Sequence, residues 1–285
     1  MTSPSISKNP FGRTGQPVTI VGLGGEGVLR TQGRGEEATT VIEEAFAAGI
    51  TYFESARAYA GSEGYYGLVW PKHKAERQSL FQTSKSAMRD KKGALSDLHA
   101  TLTNMHLEYL DLWQIHDVRT EDDLEAIAGP GGALEAFVQA KAEGKVRFIG
   151  VTGHHDPAIL MRAVREWPLD SVLMPVNPIE GVLGGFLNTT LPAAIDKGMA
   201  VIAMKVLGAS HYLFPDAGIT PEVLIRYALS HPVTLAVVGC SSVHEVRTLA
   251  HVGQGFVPMS PDEMKKVEEL FAPHARRLAF YRGTL

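Results

Sequence analysis

The sequence predicts an α/β protein folded as a single (β/α)8 TIM barrel, one domain over residues 1–285 with an N-terminal β-hairpin cap. Two observations carry that prediction. Short apolar runs rich in β-branched and aromatic residues recur along the chain, and segments with helical spacing lie between them. The runs are near-continuous rather than alternating, as strands buried on both faces of a parallel sheet require. The alternation continues without a break in composition, which favours one barrel over two domains at this length.

At the start, residues 11–24 hold Thr14-Gly15-Gln16-Pro17 between two short segments, a hairpin suited to capping a barrel floor. The strand-like runs then follow at 50–55 (ITYFES), 80–85 (LFQTSK), 110–116 (LDLWQIH), 146–152 (VRFIGVT), 171–177 (SVLMPVN), 200–207 (AVIAMKVL) and 235–240 (LAVVGC). Helices are expected over 36–48, with Val41, Ala45 and Ala48 on one stripe, and over 94–107, with Leu95, Leu98, Leu102 and Met105. A third, over 133–142, presents Leu134, Phe137 and the aliphatic stem of Lys141. Gly49, Gly144 and Gly198 each end a helix just before the next strand. An eighth strand is needed to close the barrel, and residues 256–259 (FVPM), ahead of a helix over 261–271, are the candidate.

Charge excludes some partners. Lys and Arg number 27 against 31 Asp and Glu, a net charge of -4, and the basic residues are scattered. Nucleic-acid binding has no electrostatic footprint here. No stretch approaches the roughly 18 uninterrupted apolar residues of a membrane helix. The lone Cys240 permits no intrachain disulfide, and residues 1–15 show neither the basic nor the apolar region of a signal peptide. A cytoplasmic, soluble protein is therefore expected.

Gly22-Leu23-Gly24-Gly25-Glu26-Gly27 satisfies G-x-G-x-x-G after a strand-like 18–21. In a doubly wound fold that motif places a helix N-terminus at once against a pyrophosphate. Here residues 30–35 intervene before any helical pattern, so a flexible glycine loop beside a pocket is the preferred reading.

In a parallel barrel the C-terminal strand ends converge on the face that carries the chemistry. The first three runs finish in Glu54, Lys85 and His116, and Tyr59 follows Glu54 on the loop above. An acid, an ammonium, an imidazole and a phenol gathered in one concavity form a candidate catalytic set. A phenol is a poor acid near neutrality unless a cation favours phenolate, which Lys85 could supply while Glu54 holds it charged and oriented. His116 could fix a carbonyl oxygen against the Tyr59 hydroxyl. Protonating that oxygen as hydride reaches carbon is carbonyl reduction, and the protein needs a nicotinamide cofactor to supply the hydride.

These residues sit in longer motifs. The stretch 49–63 (GITYFESARAYAGSE) resembles the aldo-keto reductase signature G-I-x-x-F-D-T-A-x-x-Y-G-x-S-E. Residues 11–15 leading to Gly22-Leu23-Gly24, Thr83-Ser84-Lys85, 110–116 and 144–152 match the same family, so the resemblance covers nearly the whole chain. It implies Tyr59 as proton donor, supported by Glu54, Lys85 and His116, acting on a small carbonyl substrate with NADPH or NADH. It also implies cofactor contacts at Gly24, Thr152, Met204, Lys205, Leu207, Gly208, Gly239, Cys240, Ser241 and Glu245, and no metal.

The chain departs from the family at several of these positions. The family aspartate is Glu54, one methylene longer, so either the barrel absorbs the extra length or the enzyme is slow. Thr152-Gly153 stands where the family's Ser-Asn holds the nicotinamide carboxamide. Met204-Lys205-Val206-Leu207-Gly208 replaces an aromatic that often stacks on the nicotinamide, as in a bacterial subgroup with a similar stretch, and Met204 can still pack on a ring. Gly239-Cys240-Ser241-Ser242 resembles the phosphate-contacting turn ahead of a helix. Glu245 takes the place where many relatives carry an arginine against the 2′-phosphate, which weakens the family's NADPH preference, and Lys205 could offset the loss.

Other readings stay open. Trp70, His154, His155, Tyr212, Leu213 and Phe214 suit either a substrate pocket or loop packing. A metal-dependent hydrolase could use His116, His154, His155 and Asp156, and a Schiff-base aldolase could use Lys85 were it neutral. A cofactor-binding sensor or partner module with little turnover is the rival that the Glu54 and Thr152-Gly153 departures make credible.

Overall fold

The computed structural model describes residues 5–283; residues 1–4, the first part of the segment read for targeting, and 284–285 lie outside it. The chain begins with β1 (Lys8–Pro10) and β2 (Pro17–Thr19), followed by β3 (Val21–Gly27), α1 (Gly35–Ala47), β4 (Tyr52–Glu54), α2 (Ser62–Val69), β5 (Phe81–Ser86) and α3 (Lys91–Met105). The middle comprises β6 (Leu110–Ile115), α4 (Glu121–Ala128), α5 (Ala133–Ala142), β7 (Val146–Thr152), α6 (Pro157–Glu166), β8 (Ser171–Pro175), α7 (Pro178–Leu183) and α8 (Leu191–Asp196). The last part comprises β9 (Ala200–Met204), α9 (Pro221–Leu229), β10 (Leu235–Cys240), α10 (Val243–Gln254), α11 (Pro261–Phe271) and α12 (Ala275–Leu278).

Strands β3 to β10 are parallel and close into a barrel in the order β10-β3-β4-β5-β6-β7-β8-β9, surrounded by helices. The seven apolar runs are β4 to β10, each buried on both faces. Inside the barrel pack Tyr52, Phe81, Leu112, Leu173, Ile202 and Leu235. A second apolar layer fills the space between strands and helices, where Trp113 stacks on Phe137 with ring centroids 3.6 Å apart.

The closing strand is not where the sequence suggested. Residues 256–259 form no strand, and β3 takes the eighth place between β10 and β4. Its glycines look like loop residues, yet they answer to crowding: a Cβ on Gly22 would fall 2.7 Å from the Tyr52 ring, and one on Gly24 would fall 2.9 Å from the Gly239 amide nitrogen. The G-x-G-x-x-G stretch is thus a barrel strand whose Gly22 and Gly24 leave no room for a Cβ, and the flexible loop preferred from the sequence is corrected.

Strands β1 and β2 pair antiparallel and place Phe11, fully buried, under the barrel against Phe81 at 4.8 Å. This is the expected floor cap, with its first strand before residue 11 and residues 21–24 given over to the barrel. Gly49, Gly144 and Gly198 adopt φ of 86°, 71° and 65°, the left-handed conformation that lets each preceding helix end. The buried stripe of α3 is Ala94, Leu98, Thr101 and Met105, with the expected Leu95 and Leu102 on its margins. On α5 the buried face is Ala133, Ala136, Phe137 and Ala140, and Lys141 pairs with Asp170 at 2.5 Å. On each buried face small residues alternate with large ones, Leu98 and Met105 on α3 and Phe137 on α5. Among the described residues no helix is long and apolar enough to cross a membrane.

Candidate active site

Glu54, Lys85 and His116 stand at or just beyond the ends of β4, β5 and β6, and the loop after β4 returns Tyr59 over them. That loop is anchored from outside the barrel. Arg57 donates to Glu63 at 2.7 Å, and Glu63, 3% exposed, also accepts from Ser84 at 2.8 Å and Thr101 at 2.7 Å. A buried carboxylate with three such partners holds the Tyr59 loop to β5 and α3. Arg89 does the same for the loop after β6, donating to the carbonyls of His116 and Asp117, each at 2.8 Å.

The four groups come together. Glu54 Oε1 lies 2.5 Å from Lys85 Nζ, and Glu54 Oε2 accepts the Gly25 N–H at 2.8 Å. Lys85 is 1% exposed; its ammonium also donates to the Ser55 carbonyl at 2.9 Å and toward the Tyr59 hydroxyl at 3.4 Å. The Tyr59 and His116 rings meet edge to face, with centroids 5.7 Å apart. Gly25 makes room for this: a Cβ there would fall 2.6 Å from the Tyr59 ring. The Glu54 side chain, one methylene longer than the family aspartate, spans both Lys85 and the β3 backbone.

Burial sets the ionisation of the set. It holds the Tyr59 phenol well above its ordinary range, reinforced by the Glu54 and Glu26 carboxylates and opposed by Arg30. The expectation that a neighbouring cation draws this phenol down is therefore not met; desolvation of phenolate outweighs it. Burial also lowers the Lys85 ammonium while Glu54 acts to keep it charged. His116 is pushed down to about 3 by burial and then by the Lys85 charge, so its ring is neutral near pH 7.

Tyr59 and Glu54 open onto a cleft of about 660 Å³. Gly24, Met204, Lys205, Leu207, Gly208, Gly239, Cys240, Ser241 and Glu245 all line it. Thr152 does not; its hydroxyl accepts the Asp117 N–H at 2.8 Å, which steadies the backbone beside His116. Cys240 is buried, which pushes its thiol up to about 12, so it contributes backbone rather than reactivity. Glu245 turns back and accepts the Ser241 N–H at 2.6 Å.

Of the residues considered for a substrate pocket, Trp70 and Tyr212 are buried packing residues, donating to Gln82 at 2.8 Å and to the Leu278 carbonyl at 3.0 Å. Leu213 lines the cleft and Phe214 is exposed. His154 lies 3.3 Å from Asp117, whereas Asp156 caps α6 by accepting from Ala158 at 2.7 Å. No group of three or more His, Cys, Asp or Glu side chains among the described residues is placed to hold a metal ion.

Sequence reasoning missed Glu26, Arg30, Glu222 and His244, all of which line the cleft. Arg30 lies 5.0 Å from the centre of the Tyr59 ring and pairs with Glu26 at 2.6 Å. Both follow from reading β3 as a barrel strand, since its C-terminal end then faces the site. Glu222 and His244 sit in the first turns of α9 and α10 and carry no distinguishing local signal.

Residues 21–213 match the model of the aldo/keto reductase family. The chain is 28% identical to L-galactose dehydrogenase of Arabidopsis thaliana, over 71% of this chain and 66% of that one. It is 26% identical to aldo-keto reductase str7 of Strobilurus tenacellus, over 73% of this chain and 65% of that one. These matches span just under two thirds of the two relatives. Among solved structures, an aldo/keto reductase from Klebsiella pneumoniae in complex with NADP and acetate superposes with a TM-score of 0.74 at 20% identity, covering 95% of this chain and 96% of that one.

Proposed function

Because the chain belongs to the aldo/keto reductase family, we propose that it interconverts a small aldehyde or ketone and its alcohol by hydride transfer with NADPH or NADH, Tyr59 acting as the proton donor. The observation that carries this reading is the buried chain from Gly25 through Glu54 and Lys85 to the Tyr59 hydroxyl, placed at the mouth of a cleft. The cleft fits a dinucleotide in size and lining. Met204, Lys205, Leu207 and Gly208 would form one wall, and Gly24 with Gly239 to Ser241 the other. The cofactor supplies the hydride.

The side chains handle the proton. Tyr59, kept protonated by burial, offers its O–H to the carbonyl oxygen. The alkoxide that develops is a stronger base than phenolate, so the proton moves only as the carbonyl carbon is reduced. Lys85 then stabilises the phenolate left behind, and Glu54 balances and orients the ammonium. Neutral His116, edge-on to Tyr59, gives a ring N–H to the same substrate oxygen. No Schiff base is needed, and the Lys85 hydrogens point at Glu54, Ser55 and Tyr59. The NADP complex of the Klebsiella pneumoniae structure supports a nicotinamide cofactor.

The test is to follow nicotinamide absorbance across a panel of aldehydes and ketones. Tyr59→Phe is expected to lower kcat by about 10²–10⁴, the usual contribution of a positioned acid, while cofactor still binds. Undiminished turnover by that variant would refute the assignment.

A further inference from the structure

The cationic side chains of the cleft gather at one end of it, where the Glu26 and Glu54 carboxylates also lie. At the Tyr59 end lie its two cationic side chains: Arg30 over the Tyr59 ring, and Lys205, close enough to weigh against the charge of Lys85. Away from Tyr59, where α9 and α10 form the walls, the charged lining residues are Glu222 and Glu245, with His244 beside them. No Lys or Arg lines that part. Arg247, which could have supplied a cation, is turned outward and pairs with Glu44 at 2.7 Å.

Hydride transfer requires the nicotinamide at the Tyr59 end, so the adenosine must occupy the end between α9 and α10. There Glu245 is held in place: its carboxylate accepts the Ser241 N–H at 2.6 Å, so a backbone donor at the head of α10 is already engaged. On the reading that this cleft holds a nicotinamide dinucleotide, we infer that it selects NADH over NADPH, with Glu245 as the discriminating residue and Glu222 reinforcing it. A 2′-phosphate would meet two carboxylates and no cation, whereas a free ribose 2′-hydroxyl can donate to Glu245. The two dinucleotides differ only at that phosphate, so the selection acts on binding and leaves the proton chemistry at Tyr59 alone.

The experiment is a titration of the purified protein, without carbonyl substrate, with NADH and NADPH separately by calorimetry or protein fluorescence. NADH is expected to bind about tenfold or more tightly, the scale of a like-charge contact in a partly solvated cleft. The difference should narrow as salt rises. Glu245→Gln should bring the two affinities together chiefly by strengthening NADPH, and Glu245→Gln with Glu222→Gln should complete the change. NADPH binding as tightly as NADH to the unaltered protein overturns the inference while leaving the function standing. An unchanged ratio in both variants overturns the role of the carboxylates. Failure of both dinucleotides to bind overturns the function as well.

Discussion

At the scale of single residues, the site depends on one side chain making two contacts. Glu54 reaches Lys85 at 2.5 Å with one oxygen and the Gly25 N–H at 2.8 Å with the other. An aspartate there is one methylene shorter in reach. Glu54→Asp is expected to lower kcat at least about tenfold, since a shift on the order of 1 Å in catalytic groups can cost far more. Steady-state kinetics of the variant check this, and turnover equal to the parent would show that the β3 contact is dispensable. The four members of this set were legible because each ends or follows an apolar run with an ionisable residue. Gly25 and Arg30 were not, because their strand was taken for a loop.

At the scale of elements, glycine crowding and a buried ion pair do the work that the apolar pattern does elsewhere. Strand β3 has few of the bulky residues that announce a strand, because its neighbours leave no room for them. The segment after α12 is held by polar bonds. Arg282 Nε donates to Glu180 Oε1 at 3.0 Å, Tyr281 donates to the same oxygen at 2.7 Å, and both ion-pair side chains are nearly inaccessible. Removing one partner leaves an uncompensated buried charge. Arg282→Ala is therefore expected to cost about 3–5 kcal/mol, read from denaturant midpoints. An unaltered midpoint would mean the segment adds nothing to stability.

At the scale of the whole molecule, buried imidazoles set an acid limit. Burial pushes His116 down to about 3 and His231 to about 4, while in the unfolded chain both titrate near 6.5. Below about pH 6.5 the unfolded state therefore binds more protons, so stability falls as pH drops toward 4 and is insensitive to these groups above 7. Thermal melts from pH 7.5 to 4.5 should show one cooperative transition, as expected of one domain, with a falling midpoint. A midpoint that rises on acidification contradicts the burial assigned to the two rings.

The linear order of residues was enough to establish a parallel barrel, its hairpin floor, seven of its eight strands and the four groups over its mouth. Each of these is written in local pattern: an apolar run, a helical stripe, an ionisable residue at a strand end. What required the folded molecule was long-range. Which strand closes the barrel depends on the room Tyr52 and Gly239 leave for β3, and the protonated state of Tyr59 depends on desolvation outweighing the nearby Arg30 charge. The acidic end of the cleft depends on Glu222 and Glu245 converging from helices separated in sequence. Distances between segments remote in sequence decide steric fit, desolvation and charge interaction, and no local pattern encodes them.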